Sequence, residues 1–207
     1  MNLWTILFIF LPFAQETFTE FTYCRENSRG PFESQCAALD ANGAGEIRFK
    51  RRGADEVRRA VALSAIGRSR FVNVLSATNF LERSEQYESK RRVANLGQKH
   101  LILETPAGRR EARFNYSEIK EVNALVAFFD AMLNQEMIAF DLDLAIQYER
   151  LSIPERLDQL ENEMKANRVA DPHRLIDVLE RIERDQRIVN YARSHAKKLK
   201  DQLSAAK

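Results

Sequence analysis

The sequence predicts an α+β fold, in which a small, mostly antiparallel sheet of four or five strands with one packed helix precedes a long helix and a C-terminal helical bundle. All seven glycines of the 207-residue chain lie in its first 108 positions, so turns concentrate in the first half. Residues 109–207 contain no glycine, and their apolar side chains recur at the spacing of an α-helix. These two observations divide the chain into a sheet module and a helical region.

The composition is that of a folded globular protein. Hydrophobic residues make up 44% of the chain and charged residues 30%, which excludes a disordered chain. The net charge is only +2, but it is unevenly spread, because residues 46–113 carry 16 Lys and Arg against 8 Asp and Glu. The middle of the chain is therefore its basic part.

The N-terminus begins with an apolar run over residues 3–14 that is broken only by Thr5 and Pro12. As a helix this run would span about 18 Å, too short for the hydrocarbon core of a membrane but typical of a secretory signal. We predict a signal peptide over residues 1–19, cleaved between Ala14 and Thr19. The mature protein would be periplasmic or secreted and would have no transmembrane span. The alternative is that the run is retained as an N-terminal membrane anchor.

Cys24 and Cys36 are the only cysteines. In an oxidising compartment an isolated pair forms one disulfide, which here would close a loop of 13 residues. Loop-closure entropy assigns such a bond about 3 kcal/mol of stabilisation. The alternative is two separate buried thiols.

The sheet module is predicted to span residues 20–116. The turn at Asn42 and Gly43 favours a hairpin between strands at 36–40 and 46–51. A further strand is expected at 56–63, followed by a helix that Ser64 caps and that runs to Phe80. A second hairpin is expected between 100–105 and 110–116.

The helical region is predicted to span residues 117–207. A long helix over 117–151 has no breaking residue and would measure roughly 50 Å, so we expect it to bridge the sheet module and the later helices. Three shorter helices are expected near 153–167, 172–184 and 186–204. Ser152 and Asp171 stand where side chains would cap the first two of these.

No motif in the sequence indicates catalysis. The chain lacks the common nucleophile, phosphate-binding, dinucleotide-binding and zinc-protease signatures, and its three histidines are scattered. We predict no metal site, no catalytic residue and no cofactor.

Basic residues around the two hairpins form the candidate binding site. Strand alternation should place Arg48, Lys50, Arg52 and Arg113 on one sheet face, with Arg109 and Arg110 at a hairpin tip. Guanidinium groups on such a surface can bind the phosphates of lipid headgroups or lipopolysaccharide. The alternative is an ordinary solvated face that nearby glutamates neutralise. The residues are Arg48, Lys50, Arg52, Arg109, Arg110 and Arg113.

Three functional interpretations follow. The first is an exported, non-catalytic scaffold that acts structurally or binds an unknown protein partner. The second is a binder of anionic ligands or surfaces through the basic face, and the third is an enzyme of unrecognised type. Nucleic acid is not an expected partner, because the basic face carries no interleaved aromatic residues.

Overall fold

The computed structural model describes residues 18–26 and 30–205, so the apolar run at 3–14 and nearly all of the predicted signal peptide lie outside the described residues. The chain is an α+β protein, as predicted, with one antiparallel sheet in the order β4-β3-β2-β1-β5-β6. The sheet has six strands, one more than the largest number expected. They are β1 (Glu20–Glu26), β2 (Phe32–Asp40), β3 (Ala44–Arg51), β4 (Glu56–Ala62), β5 (Gln98–Thr105) and β6 (Gly108–Phe114).

The strand that the sequence did not predict is β1, which lies in the middle of the sheet. It pairs with β2 on one side and with β5 on the other, each over seven residue pairs. The segment between the two cysteines was expected to be a loop, but most of it belongs to the β1–β2 hairpin. Burial of Phe21 and Tyr23 against the helices explains why so short a segment is extended.

The predicted turn at Gly43 and the predicted helix cap at Ser64 have the expected chemistry. Gly43 adopts a positive φ of 77°, and its amide donates to the carbonyl of Asp40 at 2.9 Å, as the Asn-Gly signal indicated. Ser64 caps helix α1 (Ala65–Ser76), since its Oγ accepts from the amide of Gly67 at 3.1 Å. This helix ends before Phe80, because residues 79–81 turn into left-handed backbone.

Helices α1 and α2 (Lys120–Tyr148) cover one face of the sheet. Phe129 of α2 is at the centre of this core, with ring centroids 5.0 Å from Phe21, 5.5 Å from Tyr23 and 5.6 Å from Phe71. Offset and edge-on aromatic pairs of this kind each add stabilisation beyond the area that they bury. The opposite face of the sheet, which we call the open face, carries half-buried and exposed side chains.

The long helix contributes to two separate hydrophobic cores. Its buried residues up to Leu133 pack with the sheet, and its buried residues from Ile138 onward pack with the C-terminal helices. The half-buried Phe140 still contacts the sheet, with its ring centroid 5.4 Å from that of Phe49. It is shorter than the predicted 117–151, since the backbone leaves the helix at Glu149 with φ −137° and ψ 54°. The division of the chain at residue 116 stays a prediction, because the boundary between the cores falls inside α2.

Three further helices complete the second core, as predicted in number. They are α3 (Ile153–Lys165), α4 (Ile176–Arg184) and α5 (Asn190–Ala205). Residues 172–175 form a short 3-10 turn before α4. Ser152 makes no side-chain cap bond to α3, so the predicted capping box there was wrong. Among the described residues, no helix is both long and apolar enough to cross a membrane.

Phe18 belongs to the sheet core, although it precedes β1. Its side chain is 7% exposed, and its ring centroid lies 5.7 Å from that of Phe71 in an edge-on arrangement. The next residue, Thr19, donates its amide to the carbonyl of Glu104 at 2.9 Å. A signal cleavage that preserves this core would therefore fall before Phe18, at the early end of the predicted range.

Replacing Phe18 with alanine should lower the free energy of unfolding by about 3 kcal/mol, because the change leaves a cavity in the aromatic core. Urea denaturation followed by circular dichroism measures the difference. Tyr148→Ala is the matched control, because Tyr148 is 77% exposed and its loss should change stability little. Equal midpoints for Phe18→Ala and Tyr148→Ala would contradict the placement of Phe18 in the core.

Candidate functional site

Four of the six predicted basic residues lie on the open face of the sheet. Arg48 and Lys50 alternate with the buried Ile47 and Phe49 along β3. On β6 the exposed positions are likewise those that alternate with the buried Ala112 and Phe114, and they hold Arg109 and Arg113.

The other two basic residues, Arg110 and Arg52, contact the backbone of other segments. The side chain of Arg110 lies on the opposite face of β6, the face that the helices cover, and its Nη1 donates to the carbonyl of Phe80 at 2.8 Å. Arg52 follows the end of β3, and its Nη2 lies 3.5 Å from the carbonyl of Gly30. Strand alternation explains Arg110, which is an even number of residues from the inward-facing Ala112.

The open face has mixed charge. Three of its four predicted cations pair with glutamates at 2.8–3.5 Å, and pairs of this exposure contribute little to stability. The fourth, Arg113, has no carboxylate within 4.0 Å among residues 18–26 and 30–205. The three pairs are Arg48–Glu46, Lys50–Glu33 and Arg109–Glu111.

The predicted disulfide is present and lies at the centre of the open face. Cys24 on β1 is directly opposite Cys36 on β2, with a Cα–Cα distance of 4.1 Å. The strand register extends this pair into a row across the whole sheet, which we call the cysteine row. From one edge to the other, the row consists of Arg58, Arg48, Cys36, Cys24, His100 and Arg113.

His100 is the only residue of the cysteine row whose charge can change near neutral pH. Partial burial lowers the pKa of its imidazole below the ordinary value, and the positive charge of Arg113 lowers it further. Glu111, 3.6 Å from Nε2, opposes this shift. The imidazole is therefore neutral at pH 7, and the row carries its charge on its arginines.

Side-chain size indicates a shallow trough in the middle of the open face. Its floor is formed by small, uncharged and half-buried side chains in the middle of β1 and β2, with Glu20, Glu26 and Asp40 at the strand ends, and its walls are formed by the longer side chains of β3 and β5. Three strand spacings separate the walls, or about 14 Å. The trough floor consists of Thr22, Cys24, Ser34, Cys36 and Ala38.

A second group of polar residues, which sequence reasoning missed, separates the two hydrophobic cores. We call it the polar layer; its buried members Gln135, Glu136 and Asp171 are each at most 2% exposed. Gln135 and Glu136 lie on α2 between the last residue of the first core and the first of the second. The signal in the sequence is the interruption of the apolar stripe of α2 at these two positions.

Glu136 is held by two arginines. It accepts from Arg174 Nε at 2.7 Å and from Arg174 Nη2 at 3.2 Å, and Arg59 of β4 lies 4.0 Å from its Oε2. Arg174 also donates to the carbonyl of Ala62 at 2.7 Å. These charge-assisted bonds tie α2, β4 and the segment before α4 together.

Asp171 caps a distant helix. We expected it to cap the helix that follows it, and this was wrong, because its side chain makes no cap bond there. Its carboxylate instead accepts from the amide of Ser64 at 2.6 Å and from Ser64 Oγ at 2.7 Å, which fixes the first turn of α1. A Cβ at Gly67 would lie 2.4 Å from this carboxylate, so only glycine fits there.

A cavity of about 410 Å³ opens beside the polar layer. Its wall carries three arginines, Arg59, Arg174 and Arg181, and their composition alone would indicate an anion site. Asp143, however, accepts a hydrogen bond from Arg59 at 3.0 Å and forms an ion pair with Arg181. Arg174 forms its ion pair with Glu136. Since each arginine already has a carboxylate partner, the cavity is an ion-paired seam between the sheet and the bundle.

His195 of α5 lies between two carboxylates of α3. Its Nε2 is 3.1 Å from Glu161 and its Nδ1 is 3.5 Å from Asp158, a spacing at which one ligand atom from each could surround a metal ion. Glu161 also pairs with Lys165 at 3.1 Å and Lys198 at 3.5 Å. Two ammonium groups beside the same carboxylate oppose a divalent cation, so the cluster is best described as an ionic contact between two helices.

The chain matches no known protein-family model and no curated protein. We therefore infer the function from the open face, the trough and the cysteine row.

Replacing Arg174 with methionine should lower the free energy of unfolding by about 3 kcal/mol, because Glu136 would keep a buried charge that Arg59 compensates only in part. Chemical denaturation measures this. Arg181→Met is the matched control, since its partner Asp143 keeps Arg59, and it should cost less than about 1 kcal/mol. Adding Glu136→Gln to Arg174→Met should restore part of the loss. Equal effects of the two arginine variants would contradict the special role of the polar layer.

Proposed function

We propose that the protein is an exported, non-catalytic scaffold that binds a helix of a partner protein in the trough of its open face. The observation that carries the proposal is the contrast between floor and walls. The five floor side chains are small and uncharged, whereas Arg48 and Lys50 border them on β3 and the longer side chains of His100 and Ile102 border them on β5. Protein interfaces have the same anatomy, with an uncharged centre and a polar rim.

The size of the trough favours a helix. Its walls are about 14 Å apart, and a helix with its side chains measures about 10–12 Å across. Small floor residues such as Ala38 and Thr22 would allow the helix to approach the sheet closely.

The charges of the walls specify the chemistry of the partner helix. Arg48 and Lys50 lie on the β3 wall, each beside a glutamate at 3.1–3.5 Å, and Glu104 lies on the β5 wall, 3.7 Å from Arg109; all of these pairs are exposed and can exchange partners. The complementary helix would carry a stripe of small apolar residues, acidic residues on the side that faces β3 and a basic residue on the other side. Such complementarity contributes specificity and association rate more than affinity.

Export is supported by two features. The apolar run at residues 3–14 has the length of a signal sequence. The Cys24–Cys36 disulfide is of a kind that persists in oxidising compartments.

A photo-reactive amino acid at Ala38 should crosslink a partner protein in the cells that make this chain. The matched control is the same amino acid at Ala124, which is exposed on α2, in the helical layer away from the open face. Peptide mapping of the adduct should identify an amphipathic segment with acidic residues, and Arg48→Glu/Lys50→Glu should reduce the yield. Equal crosslinking from both sites, no adduct from Ala38, or an adduct without acidic residues would contradict the proposal.

The alternative function, binding of anionic lipid or lipopolysaccharide, is favoured by one observation: Arg113 is exposed without a carboxylate partner among the described residues, in the same row as Arg48. Sedimentation with phosphatidylglycerol vesicles tests it. Salt-sensitive binding that Arg48→Glu/Lys50→Glu/Arg113→Glu abolishes would support this alternative. The control, Arg184→Glu/Arg187→Glu/Lys197→Glu, makes the same charge change on α4, α5 and the loop between them.

A further inference from the structure

We propose that the Cys24–Cys36 disulfide is a site of thiol–disulfide exchange whose reaction partner is a small thiol that carries carboxylates, of the glutathione class. This inference goes beyond the binding function proposed above and does not depend on it. It rests on the place of the disulfide in the sheet, on the groups beside each sulfur and on the position of Arg113.

The disulfide is placed where a small molecule can reach it. Both cysteines lie on the open face and are half-buried, while α1 and α2 cover the other side of the sheet. Their neighbours along the strands are small, namely Thr22, Ser34 and Ala38. A thiol therefore has an approach to the sulfurs across the trough floor.

The sheet holds the two cysteines in place without the bond between them. β1 is hydrogen-bonded on both sides, and Cys24 and Cys36 are each in the middle of a strand. Reduction would therefore leave two thiols opposite each other in an intact sheet, ready to form the bond again. A crosslink that merely closed a flexible loop would lack this property.

The two sulfurs have different neighbours. Cys36 is directly opposite Arg48 on β3, and Cys24 is directly opposite His100 on β5. Directly opposed side chains in a sheet have Cβ atoms about 5 Å apart. The charge of Arg48, which Glu46 at 3.5 Å compensates only in part because the pair is exposed, stabilises a thiolate at Cys36. His100, in contrast, is neutral at pH 7, because burial and Arg113 lower its pKa.

This asymmetry fixes the direction of the exchange. An incoming thiolate attacks Cys24 Sγ, the S–S bond breaks, and its electron pair leaves on Cys36 Sγ as the better-stabilised thiolate. The product is a mixed disulfide at Cys24. A second thiolate then attacks the sulfur of the bound thiol and displaces the Cys24 thiolate, which takes a proton from water. Two small thiolates are oxidised to their disulfide, and the protein gains two electrons and one proton, since Cys36 stays a thiolate beside Arg48.

Arg113 specifies the class of thiol. It lies two strands from Cys24 in the cysteine row, about 10 Å away by strand spacing. Its guanidinium has no carboxylate partner among the described residues, so it is available to bind a carboxylate of a thiol whose sulfur is at Cys24. Glutathione has carboxylates at this range from its sulfur, and cysteamine has none.

The experiment compares reduction of the folded protein by glutathione and by cysteamine at matched thiolate concentrations, followed by intact mass and peptide mapping. We expect the mixed disulfide at Cys24 and a rate several-fold higher with glutathione. Arg113→Gln should remove the preference for glutathione. Arg48→Gln should slow both thiols, and Arg48→Lys should restore the rate.

Arg58→Gln is the matched control, because Arg58 lies in the same row but one strand further from Cys36. In a Cys24→Ser variant, the pH dependence of alkylation should give Cys36 a pKa below the ordinary value of about 8.5, and Arg48→Gln should raise it. Circular dichroism confirms that each variant is folded. Reduction only under denaturing conditions, adducts on both cysteines equally, or equal effects of Arg48→Gln and Arg58→Gln would overturn the proposal.

Discussion

Helix α2 packs against the sheet with one half and against the C-terminal helices with the other, and this double contact joins the two hydrophobic cores. The first half of α2 buries Phe129 and Leu133 against the sheet, and its second half buries Ile138 and Leu142 against α3, α4 and α5. Between these halves the polar layer fixes how the sheet and the helical bundle are oriented. Glu136 and Asp171 form their hydrogen bonds only when Arg174 and Ser64 are correctly placed. Buried polar groups that must find specific partners can fix the relative position of two packed units, and we interpret the polar layer in this way.

The same arrangement explains why the open face is available for function. Because all helices within residues 18–26 and 30–205 that touch the sheet lie on one side, the other side carries a trough of small side chains with a disulfide in its floor. Helix docking and thiol–disulfide exchange would use the same residues but require different properties of them. A docked helix requires shape and charge on the walls, whereas exchange requires Arg48 beside Cys36. A helix seated in the trough would also shield the sulfurs, so the two activities would compete for the same surface.

Sequence reasoning predicted the features that follow from local rules. The period of apolar residues predicted α2, and the Asn-Gly pair predicted the turn at Gly43. The pairing of Cys24 with Cys36 followed from their number. Prediction from the sequence failed where the contact that decides the structure joins residues far apart in the chain. β1 has only a short alternating pattern, and it is extended because strands on both sides pair with it. Asp171 lies just before a proline at a helix start, yet its carboxylate binds Ser64, 107 residues away.

Native-state amide hydrogen exchange along α2 tests most directly whether this helix joins the two cores into one unit. We expect the amides in residues 125–133 and in residues 138–146 to show the same free energy of opening and the same dependence on denaturant, because neither half of α2 can open without the other. If residues 138–146 exchanged with a free energy several kcal/mol lower while the sheet remained protected, the helical bundle would be opening independently, and the polar layer would not have the coupling role assigned to it.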